Sequence, residues 1–181
     1  AFASEVMRFG VNEAKIHYFP NFAENFYQPR GKDEDFKSLQ KIPDGFVVMF
    51  AGNIGAAQDF ETIVLAAELL KEKQDIHWVI LGDGRMKDWA LEKVRASGLD
   101  RQVHFLGRHP AQRMPEFFAW ADVLLVTLKA DPVFAKTVPA KVQSYLACGR
   151  PIIAGLSGEG AQIIRDSQAG EVAQAGNAES L

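Results

Sequence analysis

The sequence predicts an α/β domain, a doubly wound parallel sheet of about six strands with helices on both faces. Three observations lead there. Its short apolar runs are continuous rather than alternating, as in strands buried on both faces. Segments with helical spacing separate most of these runs, and Gly-containing turns close several of them.

Taken in order, residues 1–9 pattern as a helix through Phe2, Val6 and Phe9, which Gly10 would close. Ile16–Phe19 reads as a short strand stopped by Pro20-Asn21. From 21 to 44 the chain turns polar and aromatic, with Pro29, Gly31 and a charge cluster at 32–35, and suits a connector better than a core element. Regular alternation then begins. Phe46–Ala51 is strand material followed by the turn Gly52-Asn53-Ile54-Gly55, and Asp59–Lys73 has helical spacing in Phe60, Ile63, Val64, Ala67 and Leu70. Trp78–Leu81 and Gly82-Asp83-Gly84 repeat the arrangement, with a helix over 86–96. Further strands read at 103–106, 123–126, 151–154 and 170–172, with helices at 113–121 and 141–148.

Composition bounds the function. With 181 residues the chain holds one sizeable domain but not two comfortable ones. A net charge of -3 supplies no basic excess for nucleic-acid phosphates, so no nucleic-acid partner is expected. A lone cysteine, Cys148, excludes an intrachain disulfide framework and fits a reducing compartment. No apolar run approaches the roughly 20 residues of a membrane helix and no signal peptide is visible, so the chain reads as soluble. The opening inside a helix-like pattern and the stop at Glu179-Ser180-Leu181 read as a piece of a longer polypeptide.

In parallel sheets ligands bind beyond the carboxyl ends of the strands, so the loops after the strands are where chemistry belongs. Glycines in the 52–55 loop would let backbone amides approach a phosphate at a helix start; position alone does not separate this from an ordinary turn. Gly82-Asp83-Gly84 favours a plain tight turn. The loop 135–141 is richer, with Thr137 available as a cap, Pro139 suited to a first turn and two lysines near open amides, an anion site or simply a solvated helix start. His17, His77, His104 and His109 show no metal-ligand spacing or pairing, and Cys148 reads as core packing.

The order of motifs is more specific than any one of them. Gly10-Val11, Lys15-Ile16 and Pro20-Asn21-Phe22, then Phe50-Ala51-Gly52-Asn53-Ile54, Ile80–Gly84, Val103–Gly107, Ala121–Leu125 and Tyr145–Ile153 follow in sequence. The chain resembles, over nearly its whole length, the C-terminal, Rossmann-like half of retaining glycosyltransferases of the two-domain GT-B architecture, family 4. It is similar in pattern to the branch that builds bacterial surface polysaccharides, the fucosamine transferases among them. The resemblance implies a hinge and connector at 1–44 leading from an absent N-terminal acceptor domain, and a nucleotide-sugar-binding domain at 45–181, truncated at its C-terminus. It implies transfer from a nucleoside-diphosphate sugar, with UDP the expected nucleotide, to a polysaccharide or lipid-linked acceptor. It implies no cofactor and no metal, cytoplasmic residence, and any membrane association through the absent half. The isolated fragment would not turn over.

The departures fall in the site. That family usually carries an Arg and a Lys after the first strand where Asn53 and Gln58 stand here, and two Glu where Lys136 and Ser144 stand. The four usual residues sum to zero charge, whereas these sum to one positive charge. The resemblance therefore assigns Gly52, Asn53, Gly55, Gln58, Val138, Pro139, Ala140 and Lys141 to the donor diphosphate, Ser144 to the ribose, and Gly107, Arg108, His109 and Met114 to the base. Lys136 takes the catalytic position, and Lys136 with Lys141 would neutralise the diphosphate. A degenerate nucleotide-binding or scaffolding domain and a sugar-nucleotide epimerase-like enzyme remain the alternatives.

Overall fold

The computed structural model describes residues 2–181. Six strands, β1 (Phe46–Ala51), β2 (Ile76–Leu81), β3 (Val103–Gly107), β4 (Val123–Thr127), β5 (Ile152–Gly155) and β6 (Gly170–Ala173), form one sheet in the order β3-β2-β1-β4-β5-β6. All five pairings are parallel. The chain thus winds outward in one direction from β1 and then outward in the other from β4, the doubly wound arrangement expected.

Alternate side chains of each strand feed two cores. Val47, Met49 and Ala51 of β1 join Val79, Leu81, Leu124 and Val126 on one face. That face is covered by α5 (Met114–Phe118), α7 (Ala140–Ala147) and α8 (Gly158–Asp166). Val48 and Phe50 point the other way with Trp78, Ile80, Val123 and Leu125, under α3 (Phe60–Leu69) and α4 (Lys87–Ala96). Burial on both faces explains why these strands read as unbroken apolar runs.

Four elements differ from the sequence reading. The run 16–19 forms no strand and is not part of the sheet; a 3-10 turn at Glu13–Lys15 precedes it, and Tyr18 and Phe19 are exposed. The 21–44 stretch is more than a connector. It contains α2 (Glu34–Gln40), capped by Asp33, whose carboxylate accepts the Phe36 amide at 3.1 Å, and it buries Phe36 and Ile42 in the core. Phe36 meets Phe117 edge-on at 4.8 Å, so one apolar anchor suffices to dock a charged helix. The third and fourth are helices not anticipated from spacing: α8, which buries Ala161 and Ile164, and the short α6 (Pro132–Ala135). At the amino end α1 (Ala3–Arg8) buries none of its residues.

The histidines hold a further correction. The β2–β3 register sets Val79 opposite His104, which brings His77 Nδ1 to 3.2 Å from His104 Nε2. Separation in sequence hid a pairing that strand adjacency creates. Burial first, and the neighbouring His77 second, hold the His104 pKa below its ordinary value.

Candidate functional site

The winding reverses between β1 and β4, and helices leave those two strands toward opposite faces, which opens a crevice at the carboxyl ends. Direct β1–β4 pairing spans only 48–50 against 123–125. Beyond it the gap is filled by the Tyr145 hydroxyl of α7, which accepts the Ala51 amide at 3.0 Å and has the Ala51 and Leu125 carbonyls each at 3.3 Å. One buried phenol therefore ties the strand ends where they diverge, and burial pushes its pKa up.

Above this point lies a cleft of about 1020 Å³, at the upper end of the size typical of small-molecule sites. Its floor is two turns in contact. The Gly52 amide donates to Leu81 O at 2.9 Å and the Ile54 amide to Asp83 O at 2.8 Å. Gly82 has φ +136°, and a Cβ there would stand 1.8 Å from Gly52 O. The Gly82-Asp83-Gly84 turn is thus more than a plain reversal: its glycine lets the two loops touch, and Gly82 and Asp83 line the cleft.

The wall opposite is the start of α7. The helix begins at Ala140 with Pro139 at its N-cap, and no side chain caps it. Thr137, expected as the cap, instead donates back to Val133 O at 3.1 Å, because α6 ends beside it. The Val142 amide donates to Pro139 O at 2.9 Å, and the Ala140 and Lys141 amides are left at the positive end of the helix dipole without an internal acceptor.

Lys141 gives the site its chemistry. Its stem is partly exposed, but its Nζ is sealed from solvent and has no hydrogen-bond partner. The ammonium lies 3.5 Å from the centroid of the Phe50 ring and directly beneath the Gly52 turn, where a Cβ on Gly52 would come within 2.9 Å of it. Burial pulls its pKa from 10.5 down to about 7, while the π face of Phe50 opposes that shift by attracting the cation. A buried cation without an anion is costly to maintain and usually marks a function.

Of the residues expected at the site, Gly52, Asn53, Arg108, His109, Met114, Ala140, Lys141 and Ser144 line the cleft together. Gly55, Gln58, Gly107, Val138, Pro139 and Lys136 are not among its lining residues. Gln58 acts through Asn53, receiving its side-chain amide at 3.4 Å, and its own carbonyl accepts the Thr127 hydroxyl at 2.6 Å. Lys136 ends α6 and pairs with Glu5 of α1 at 2.5 Å. His109 is held in place: its Nε2 lies 2.9 Å from Leu106 O, so that nitrogen carries the proton, and its ring packs 4.5 Å from Phe117. Sequence reasoning missed Glu24 and Tyr27, which reach the cleft from the segment before β1; the Pro20-Asn21 motif beside them was the available signal. Cys148 is buried, and burial lifts its thiol pKa to about 11, as packing rather than nucleophilic use requires. Among the described residues no group of three or more metal-ligating side chains occurs, and no helix is long and apolar enough to cross a membrane.

Residues 31–181 match the family described as Glycosyl transferases group 1, and the chain belongs to that family. It is 30% identical over 164 residues to WbjE of Pseudomonas aeruginosa, named a probable glycosyltransferase, which covers 88% of this chain and 40% of WbjE. It is 28% identical to WcaI of Escherichia coli K12, named for colanic acid biosynthesis, over 77% of this chain and 35% of WcaI. The chain thus spans well under half the length of these relatives. In fold it matches Anabaena HepE, solved in complex with UDP and glucose, with a TM-score of 0.77 at 19% identity over 98% of this chain and 48% of HepE. A Rickettsia africae glycosyltransferase gives 0.80 at 14% identity over 99% of this chain and 48% of that one. The six-stranded parallel sheet is the Rossmann-like fold of GT-B glycosyltransferases.

Proposed function

We propose that this group 1 glycosyl transferase domain binds the donor, a nucleoside-diphosphate sugar with UDP as the first candidate nucleotide, for a retaining transfer to a polysaccharide or lipid-linked acceptor. The observation that carries the reading is Lys141 Nζ, buried and unpartnered beneath the glycine turn that floors a switch-point cleft. A diphosphate drawn between the Gly52-Asn53 turn and the open amides of α7 would give that ammonium the anion it lacks. In this reading Ala140 and Lys141, with Val138 and Pro139 shaping the helix start, hold the diphosphate. Gly55 and Gln58 set Asn53, Ser144 meets the ribose, and Arg108, His109 and Met114, set by Gly107, hold the base.

The same groups serve catalysis. As the bond from the anomeric carbon to the diphosphate breaks, negative charge grows on the leaving oxygens, and preorganised amides and a cation there stabilise the transition state more than the ground state. Lys136 would join them on the sugar side once its pair with Glu5 opens. The acceptor would be held by a second domain, and the exposed aromatics Phe9, Tyr18 and Phe19 suit burial against one. A relative named for colanic acid biosynthesis favours a sugar polymer or its lipid-linked precursor as acceptor; the placement in family 4, near its fucosamine-transferase-like branch, rests on the order of the sequence motifs.

The test is a thermal shift with UDP, GDP and CDP on the wild-type domain and on Lys141→Ala. A nucleotide site raises the wild-type Tm with one of the three, through preferential binding to the folded state, and the variant loses most of that shift. No shift with any of them would favour a degenerate scaffold.

A further inference from the structure

Asn53 lines the cleft, but much of what holds its carboxamide lies outside it. The loop between β1 and α3 is fastened at both ends. Its near end hangs on the turn after β2, through the Gly52 amide to Leu81 O and the Ile54 amide to Asp83 O. Its far end is a 3-10 turn at Ala56–Gln58 that hangs on the end of β4. There the Thr127 hydroxyl donates to Gln58 O at 2.6 Å, and the Lys129 amide donates to Ala57 O at 3.0 Å. Immediately afterwards Asp59 takes a left-handed conformation, φ +52°, with its side chain buried. Such a conformation persists only where neighbouring contacts over-determine it.

Thr127 is placed for that contact. It ends β4, is 2% exposed and does not line the cleft. Gly155 of β5 pairs opposite it, and a Cβ on that glycine would stand 3.0 Å from the Thr127 Cγ2 methyl. A β-branched side chain has few χ1 choices, so seating the methyl against Gly155 fixes the hydroxyl on the loop. From Gln58 the linkage runs back into the cleft, because Gln58 Oε1 accepts one Asn53 Nδ2 hydrogen at 3.4 Å. Glycines flank that carboxamide: a Cβ on Gly55 would collide with Asn53 Nδ2, and one on Gly84 would stand 2.7 Å from Asn53 Oδ1. An amide nitrogen carries two hydrogens, and engaging one with Gln58 leaves the other for a ligand. The opposite rotamer would present Oδ1, an acceptor, which repels an anion.

We propose that Thr127 is a positioning residue for Asn53: its hydroxyl fixes the Gln58 peptide from β4, and Gln58 in turn holds the Asn53 carboxamide with its donor toward the bound diphosphate. This rests on the nucleoside-diphosphate reading above. A buried threonine on a neighbouring strand thereby sets the donor geometry of a loop whose ligand it never touches.

Calorimetric titration with UDP, GDP and CDP tests it on the wild-type domain, Thr127→Val, Thr127→Ser, Asn53→Ala and the double variant Thr127→Val/Asn53→Ala, with Tm measured for each. Asn53→Ala is expected to weaken binding about fivefold, the worth of one ordinary hydrogen bond, and Thr127→Val to reproduce most of that loss. Thr127→Ser, which keeps the hydroxyl, should bind within about twofold of the wild type. In the Asn53→Ala background Thr127→Val should cost nothing further, whereas a general loosening of the fold would weaken binding equally in both backgrounds. Thr127→Ala, which leaves room for a water at the Gln58 carbonyl, takes the place of the valine if that variant does not fold. Wild-type affinity in Thr127→Val or in Asn53→Ala, or a loss that persists in the double variant, overturns the role of Thr127 and leaves nucleotide binding standing. Failure of all three diphosphates to bind the wild type overturns the nucleotide reading and this role with it.

Discussion

Replacing Lys141 with Met should stabilise the free domain and weaken its ligand binding at the same time, and both effects should depend on pH. The folded domain holds the Lys141 proton less tightly than the unfolded chain, because burial takes the pKa from 10.5 to about 7. Below pH 7 both states carry the proton and the full penalty applies, about 5 kcal/mol at about 1.4 kcal/mol per pH unit. As pH rises from 7 toward 10.5 the native state sheds the charge first, so this group makes stability climb, by about 2 kcal/mol between pH 7 and pH 9. Lys141→Met keeps the stem over Phe50 and lacks that slope. Ligand binding runs the other way: a bound diphosphate restores the proton, so the wild-type Kd should rise about tenfold per pH unit above 7, across a window where the diphosphate itself is ionised. The variant should bind at least about tenfold more weakly at pH 7 and show little pH dependence. Urea unfolding followed by tryptophan fluorescence at pH 7, 8 and 9, with UDP calorimetry at the same pH values, reads both. Parallel stability curves for the two proteins would refute the buried-cation account, and equal affinities would refute its use in binding.

Three other substitutions separate the parts of the site. Gly82→Ala places a Cβ 1.8 Å from Gly52 O at φ +136° and should cost about 3 kcal/mol, a fall in Tm of about 10 °C, with the cleft floor lost as well. Tyr145→Phe removes the hydroxyl that holds Ala51 and Leu125 and should cost about 1–2 kcal/mol in chemical unfolding. Lys136→Ala breaks a solvent-screened pair with Glu5 and should change stability by less than about 1 kcal/mol; UDP affinity should stay within about twofold, since Lys136 does not line the cleft.

The parts of the fold that local sequence encodes were legible, and those that docking creates were not. Strands β1, β2, β4 and β5 are apolar runs because each is buried on both faces, a condition written into every residue of the run. Helix α8 escaped notice because Gly158, Gly160, Gln162 and Arg165 dilute its pattern, and Ala161 and Ile164, with Ile163 partly buried beside them, press it onto the sheet. Helix α2 escaped for the same reason, its single anchor Phe36 set among charges, although the Asp33 cap was there to be read.

For the site, the motifs named the loops, and strand order decided which of them meet. By itself the sequence determined an alternating α/β chain with its glycine turns after β1 and β2 and a lysine-bearing helix start after β4, since composition and spacing are local properties. Only the tertiary structure decided that two lysines five residues apart part company, Lys136 turning at the end of α6 to Glu5 and Lys141 folding under Gly52 against Phe50. It also decided that Glu24 and Tyr27, far from both in sequence, line the same cleft as Lys141 and Ser144. The physical reason is that a cleft at a switch point is built from the ends of strands adjacent in the sheet but remote along the chain, and no local pattern records which ends become neighbours.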